Sequence, residues 1–290
     1  IISYILSMAV NFSPYEVSFV LIDYKGGGLA GAFENKNTGV KLPHLAGSIT
    51  NLDTIEMSRA LASIQSELKN RQRKFNIARD NLNESTIDIY KYQRLYREGK
   101  VNEPIPHLFI ISDEFAELKD QQPEFMDQLI STARIGRSLG VHLILATQKP
   151  SGVVDDQIWS NSKFKICLKV QDRSDSMDMI KRPDAAALKN PGRFYLQVGY
   201  NELFALGQSA WTGAQYYPTE KRKKKVDTAV DFIDNVGSVI KSFDSSNNFV
   251  QVQSQGEELP NIIKYIIKTA KDEGIAISKL WLDRIPDVIY

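Results

Sequence analysis

Two adjacent acids, Asp113 and Glu114, follow a short apolar run that begins after His107 and has the composition of a buried strand. At the carboxyl edge of a parallel sheet, where ligands bind, such a strand would hold both carboxylates rigidly beside a site. Asp113 would then hold a water molecule of a Mg²⁺ shell, and Glu114 would orient and deprotonate an attacking water. Acids also favour the first turn of a helix, so the pair taken alone is better explained as the start of one.

The next apolar run along the chain, Val141–Thr147, also ends in polar residues. Gln148 would lie at the same sheet edge as the two acids, where it can contact a γ-phosphate or the attacking water. The alternative is that this amide only caps the following turn. Two neighbouring strand ends that present acids and an amide together favour a nucleotide pocket over that alternative.

Several basic residues are candidates for contacts with phosphate. Lys25 follows the first predicted strand within a glycine-rich loop, and a lysine there can approach a phosphate or simply be solvated. Arg134 and Arg137 lie three residues apart, on one face of a predicted helix, and Arg59 lies on a longer helix. Each arginine is a candidate finger that stabilises the transferring phosphoryl group in a neighbouring site. The alternative for Arg134 and Arg137 is a solvated basic helix end.

The elements that must position these residues alternate along the chain in the order expected of βαβ units. The sequence predicts long helices over Asp53–Leu82 and Phe125–Leu139, and a hairpin around Gly199. Buried strands are predicted at Val17–Asp23, Leu108–Ile111, Val141–Thr147 and Phe164–Val170.

In the last of these predicted strands, alternate apolar residues should point inward and Cys167 should point the other way. The residues predicted to point inward are Phe164, Ile166, Leu168 and Val170.

Composition limits the classes of function. Lys plus Arg total 36 and Asp plus Glu total 35, so the net charge of +1 excludes a strongly basic coat for nucleic acid. A single cysteine excludes an internal disulfide framework. The apolar runs are all far shorter than the ~18 residues needed to span a bilayer, so we expect a soluble chain without a transmembrane segment.

The two ends of the sequence suggest a piece of a longer protein. The chain starts within an apolar, helix-like segment and has neither an initiator Met nor a cap. Composition changes after Pro218, where the basic run Lys221–Lys225 and a Ser-, Asn- and Gln-rich stretch follow. We therefore predict one domain at residues 1–217 and a helical or linker segment at residues 218–290, with the basic run solvated.

Several stretches together resemble the FtsK/SpoIIIE family of P-loop motor ATPases, and most closely its type VII secretion membrane ATPases. The resemblance runs in a consistent order from Ile1 to about Trp211 and continues more loosely to the end of the chain. It is carried by Asp23–Gly28, Leu42–His44, Ser112–Leu118, Ala133–Pro150 and Gly192–Gly199.

This resemblance implies a three-layer α/β, RecA-like P-loop NTPase core with a mostly parallel sheet and an antiparallel hairpin extension. It further implies ATP and Mg²⁺ as cofactors, and neighbouring ATPase modules or protomers in a ring. The implied function is one module of a membrane-anchored motor, on the cytoplasmic side of the membrane, that exports small helical proteins.

One family motif is missing, because no G-x-x-x-x-G-K-[ST] loop occurs in the sequence. We expect this Walker A loop to lie just upstream of Ile1, so the chain alone should bind nucleotide poorly. Two alternatives stay open. A double-stranded DNA translocase of the same family is disfavoured by the net charge, and a non-hydrolysing gate or substrate-binding scaffold would follow if the loop were absent altogether.

Overall fold

The computed structural model describes residues 1–23, 28–35, 39–50, 54–148, 154, 156–200, 202–217, 230–243, 254–275 and 279–280. The chain forms two compact units, one of residues 1–211 with 262–290 and one of residues 212–261. The division that the sequence predicts after residue 217 stays a prediction. None of the helices in the described ranges is both long and apolar enough to cross a membrane.

The predicted helices and strands occur in the expected order, together with further elements that the sequence did not predict. The described helices are α1 (Ile2–Asn11), α2 (Gly28–Gly31), α3 (Thr54–Leu82), α4 (Ile89–Arg97), α5 (Phe115–Gln121), α6 (Pro123–Gly136), α7 (Asp156–Asn161), α8 (Arg173–Ile180) and α9 (Glu258–Asp272). The described strands are β1 (Val17–Asp23), β2 (Glu34–Asn35), β3 (Val40–Lys41), β4 (Leu45–Ile49), β5 (His107–Asp113), β6 (Val141–Leu145), β7 (Phe164–Leu168), β8 (Arg193–Val198), β9 (Leu203–Gln208), β10 (Val230–Ile233) and β11 (Val239–Phe243).

A four-stranded parallel sheet in the order β4-β1-β5-β6 forms the centre of the first unit. All seven residues of β1 are buried, as expected of a parallel strand with both faces covered. Pairing runs from Val17 with His107 to Asp23 with Asp113, so β1 and β5 end at the same level. The α/β fold class predicted from the sequence is confirmed.

The 29-residue helix α3 supplies one wall of the main hydrophobic core. Its buried residues recur at helical spacing and pack with residues of α6 and with the side chains on one face of the sheet. Met57, Ile64 and Phe75 are each 2% exposed or less, and burying such a side chain contributes about 2 kcal/mol. The periodicity of α3 thus explains how it covers the sheet.

The guanidinium of Arg71 is buried within this wall, where it is only 2% exposed. Its Nε donates to Glu67 Oε1 at 2.9 Å and its Nη1 donates to the carbonyl oxygen of Leu139 at 2.9 Å. Burial lowers the pKa of Arg71, whereas Glu67 raises it. The arginine therefore ties α3 to the turn that leads into β6.

Gly140 completes that turn in a left-handed conformation with φ of 77°. A Cβ atom at this position would lie 2.5 Å from Cγ1 of Ile89, which belongs to α4. Because both the backbone angle and the close approach require glycine, this residue fixes where β6 begins.

We predict that Arg71→Met lowers the free energy of unfolding by about 3 kcal/mol, because the Leu139 carbonyl and Glu67 both lose a buried partner. Urea denaturation measures this change. The matched control is Arg73→Met on the exposed side of the same helix, which should cost less than about 0.5 kcal/mol. Equal effects of the two substitutions would contradict a special role for Arg71.

Two histidines pair at the amino-terminal end of the sheet. His107 Nδ1 and His142 Nε2 are 2.9 Å apart, and the two rings stack with centroids 5.1 Å apart. Burial lowers the pKa of His107 to about 4, with further contributions from His142 and Arg71. Burial also lowers the pKa of His142, with Arg71 as the second cause. Both imidazoles are therefore neutral at pH 7.

This pair should make the protein sensitive to mild acid. Between pH 6.5 and about 4 the unfolded chain binds a proton at His107 that the folded chain does not, so stability falls as the pH falls. We expect the free energy of unfolding to drop by about 1 kcal/mol between pH 7 and pH 5, allowing for solvent screening at this half-buried site. His107→Gln should reduce this pH dependence; an unchanged dependence would assign it to other groups.

The antiparallel sheet β7-β8-β9 corrects one prediction. Phe164, Ile166 and Leu168 were expected to face inward, but they are 70%, 48% and 53% exposed, whereas Cys167 is 3% exposed. The buried face of β7 is the one covered by Ile180 of α8 and by residues of the following 3₁₀ turn. Alternation fixes which residues share a face, but the covering elements decide which face is buried.

The second unit contains the β10–β11 hairpin and a short bridge between Gln215 and Glu257. Asp234 stabilises the hairpin turn, because its Oδ1 accepts from the amides of Val236 and Ser238 at 2.9 and 2.8 Å. The basic run Lys221–Lys225 lies outside the described residues.

Candidate functional site

Three acids occupy the carboxyl edge of the parallel sheet. Asp23 and Asp113 are direct neighbours in the β1–β5 register, and Glu114 follows at the end of β5. The next strand, β6, pairs with β5 up to Leu145, and Ala146 continues the pairing by donating to the carbonyl of Ser112 at 2.9 Å. Parallel pairing therefore brings the acids and the Thr147–Gln148 segment to one edge, as the sequence predicts.

Glu114 adopts a left-handed conformation, with φ of 52° and ψ of 48°, at the start of α5. Such a conformation is uncommon for a non-glycine residue, and it turns the chain sharply from strand to helix. The side chain is 8% exposed and makes no capping hydrogen bond to α5. Glu114 therefore begins α5, as the alternative expects, but its carboxylate does not cap the helix.

The carboxylate of Glu114 faces the segment after β6 instead. Its Oε1 lies 3.3 Å from the amide nitrogen of Gln148, which donates to it, and 3.5 Å from Oγ1 of Thr147. Gln148 itself is an exposed residue at the same edge. The contact from Gln148 to Glu114 thus comes from its backbone, while its amide side chain stays available at the site edge.

Asp113 is half-buried between its acidic neighbours. Burial raises the pKa of its carboxyl, and Asp23 and Glu114 raise it further, while a hydrogen bond from the Glu114 amide at 3.1 Å lowers it. A bound cation would relieve this repulsion. No group of three or more metal-ligating side chains occurs in the part of the chain that the structure describes. The Asp113 carboxylate suits Mg²⁺, an ion that usually keeps several of its waters and binds through one or two carboxylates.

The role of Asp23 was not identified from the sequence. It is 2% exposed, and its Oδ2 accepts from the amides of Leu29 at 2.7 Å and Ala30 at 3.3 Å. Asp23 therefore anchors the start of α2. One sequence feature could have indicated this role: Asp23 is an acid at the end of a predicted strand, directly before a glycine-rich segment. Lys25 itself lies outside the described residues.

We predict that Asp23→Ala releases the start of α2, because two buried amides lose their acceptor. Hydrogen exchange at Leu29 and Ala30 should accelerate roughly ten-fold. The control is Asp120→Ala, which removes an exposed acid from α5. Unchanged protection of Leu29 and Ala30 in Asp23→Ala would contradict the anchoring role.

The three candidate arginines are exposed and lie at different ends of the first unit. Arg59 belongs to the first turns of α3, which follows the carboxyl end of β4. Arg134 and Arg137 lie at the end of α6 and in the turn before β6, which is the opposite edge of the sheet from Glu114. Within one chain, the structure therefore does not bring Arg134 or Arg137 to the acids.

A parallel α/β sheet with acids at its carboxyl edge defines the class of α/β folds that bind ligands at that edge. The profile of the FtsK/SpoIIIE family matches residues 2–152, more than half of the chain. The chain belongs to the FtsK/SpoIIIE family, as its motifs predict.

Two relatives specify the branch of the family. The chain is 52% identical over 99% of its length to the type VII secretion system protein EssC of Staphylococcus aureus strain Mu50. It is 48% identical over 98% of its length to the ESX secretion system protein EccC of Geobacillus thermodenitrificans. It covers 19% and 18% of these two proteins, so it spans about a fifth of the curated relatives it matches.

Solved structures support the same fold. The cytoplasmic domain of the Thermomonospora curvata type VII secretion ATPase EccC matches 97% of this chain with a TM-score of 0.66 and 22% identity, over 27% of that protein. Thermomonospora curvata EccC (ATPases 2 and 3), in complex with a signal sequence peptide, matches 72% of this chain with a TM-score of 0.55 and 24% identity, over 36% of that chain.

Proposed function

We propose that this chain is one ATPase module of a type VII secretion motor, which uses ATP binding and hydrolysis to export small helical proteins. The observation that carries this proposal is Glu114, a buried carboxylate in a left-handed turn at the end of β5, against the backbone of Gln148. That arrangement suits a base that must be held in one place beside a phosphate site. The family relationship supports the secretion system as the setting.

In this proposal each residue at the sheet edge has a separate role in ATP hydrolysis. ATP supplies the γ-phosphoryl group, and Mg²⁺ neutralises charge on its oxygens. Asp113 holds water of the Mg²⁺ shell, Glu114 orients and deprotonates the attacking water, and Gln148 contacts the γ-phosphate. Lys25 is a further candidate phosphate ligand. The Walker A loop that cradles phosphates does not occur in these 290 residues.

The candidate partners follow from the same reasoning. Arg134 and Arg137 project from the edge of the sheet opposite to Glu114, so a finger role for them requires a neighbouring module or protomer. The related EccC structure with a signal sequence peptide supports a polypeptide as the exported substrate. The net charge of +1 gives little electrostatic attraction to duplex DNA, which favours protein export over DNA translocation. The parent protein would act at the cytoplasmic side of the membrane.

The test is Glu114→Gln in a longer protein that contains an intact Walker A loop. Because a positioned base is lost while the phosphate contacts remain, ATP hydrolysis should fall about 100-fold or more with ATP affinity nearly unchanged. Single-turnover hydrolysis and calorimetry measure the two quantities separately. The matched control is Asp120→Asn, an exposed acid on α5 that should leave both unchanged. Wild-type turnover in Glu114→Gln would remove Glu114 from the mechanism.

A further inference from the structure

Two lysine side chains converge on one aromatic ring beside the antiparallel sheet. Nζ of Lys165 lies 4.7 Å from the centroid of the Trp159 ring, and Nζ of Lys181 lies 6.0 Å from it. Lys165 belongs to β7, and Lys181 ends α8 in a left-handed conformation with φ of 58°. Tertiary packing thus brings together two like charges from separate elements.

Neither ammonium forms an ion pair within the residues that the structure describes. Lys165 is half-buried, and its pKa is lowered first by burial and second by the charge of Lys181. A cation withdrawn from water normally has an anionic partner, because desolvation without one is costly. The cation–π contacts with Trp159 offset part of this cost, but they leave the mutual repulsion in place.

Gln197 adds an unsatisfied polar group to the same face of the sheet. It pairs directly with Lys165 across β7 and β8, so both side chains project to one side. Gln197 is 8% exposed, and its Oε1 has no hydrogen-bond partner among the described residues. A side-chain amide can accept through Oε1 or, after a half-turn of the group, donate through Nε2. The three residues therefore offer two cations and one amide to a ligand.

The surroundings limit which anion fits. Two acids near this site already form ion pairs. Glu202 pairs with Lys163 at 2.7 Å, and Asp184 pairs with Arg182 at 3.0 Å. Because each of these carboxylates already has its own cation, the uncompensated charge that the described residues leave on this face is that of Lys165 and Lys181. Two cations suit one carboxylate, whereas nucleic acid binds through many phosphate contacts. The ring of Phe204, under Arg182 at 4.3 Å, provides apolar contact nearby.

We propose that Lys165, Lys181 and Gln197 form a docking site for an acidic side chain of a partner polypeptide. The carboxylate accepts hydrogen bonds from the two ammonium groups and from the Gln197 amide, and it compensates the unpaired charge of the half-buried lysine. None of these three residues belongs to the group of acids at the edge of the parallel sheet. The proposal therefore stands whether or not this module hydrolyses ATP.

The test uses the whole chain with its lysines dimethylated with ¹³C, a change that keeps their charge and gives each an NMR signal. A short peptide of alternating Glu and Ser is the probe. Its addition should shift the signals of Lys165 and Lys181 together. Lys165→Met and Lys181→Met should each weaken peptide binding about ten-fold, the effect of losing one charge-assisted hydrogen bond.

Two variants control for charge and folding. Lys69→Met removes an exposed lysine from α3 and should leave the affinity unchanged, whereas Lys165→Arg keeps the charge and should retain most of the binding. Equal losses in Lys69→Met and Lys165→Met would overturn the proposal, because binding would then follow net charge alone. Uniform shifts of all lysine signals would also overturn it. So would tighter binding of a duplex DNA oligonucleotide at Lys165 than of the acidic peptide.

Discussion

The parallel pairing of β1, β5 and β6 is the constraint on which the site depends. Parallel strands in register end at the same level, so Asp23, Asp113 and the Thr147–Gln148 segment are brought to one edge by backbone hydrogen bonds alone. The helices that cover the sheet stabilise this arrangement, but they do not create it. Its cost is electrostatic, because burial raises the pKa of Asp113 and the neighbouring carboxylates raise it further.

The left-handed turn at Glu114 points its carboxylate toward the segment that follows β6. A non-glycine residue in this conformation costs about 1 kcal/mol or more. The chain is nevertheless held there, since Phe115 donates to the carbonyl of Ala146 at 2.9 Å and continues the link to the β6 side. The strain thus places the carboxylate against the amide of Gln148, where a helix-capping glutamate would instead point along α5.

The cationic side chains that lie away from the acids are suited to contacts with another chain. Arg134 and Arg137 lie at the opposite edge of the sheet, and Lys165 with Lys181 lies beside the antiparallel sheet, where no described acid pairs with them. A module of the proposed motor would need surfaces for its neighbours and for its polypeptide substrates. Exposed or unpaired cations are suited to that purpose because they recognise charge supplied by another chain.

The sequence by itself determined β1, β5 and β6 with the polar residues at their ends, and the β8–β9 hairpin, because apolar runs and their polar terminations are local properties. It did not predict β4, which pairs with β1, or the β10–β11 hairpin. Family motifs identified the fold class for the same reason. Tertiary structure alone decided the buried face of β7, the burial of Arg71, and the anchoring role of Asp23. Each of these depends on which element covers a residue or which distant group accepts its hydrogen bond. Arg71 and Leu139, for example, are 68 positions apart, and no local pattern records their contact.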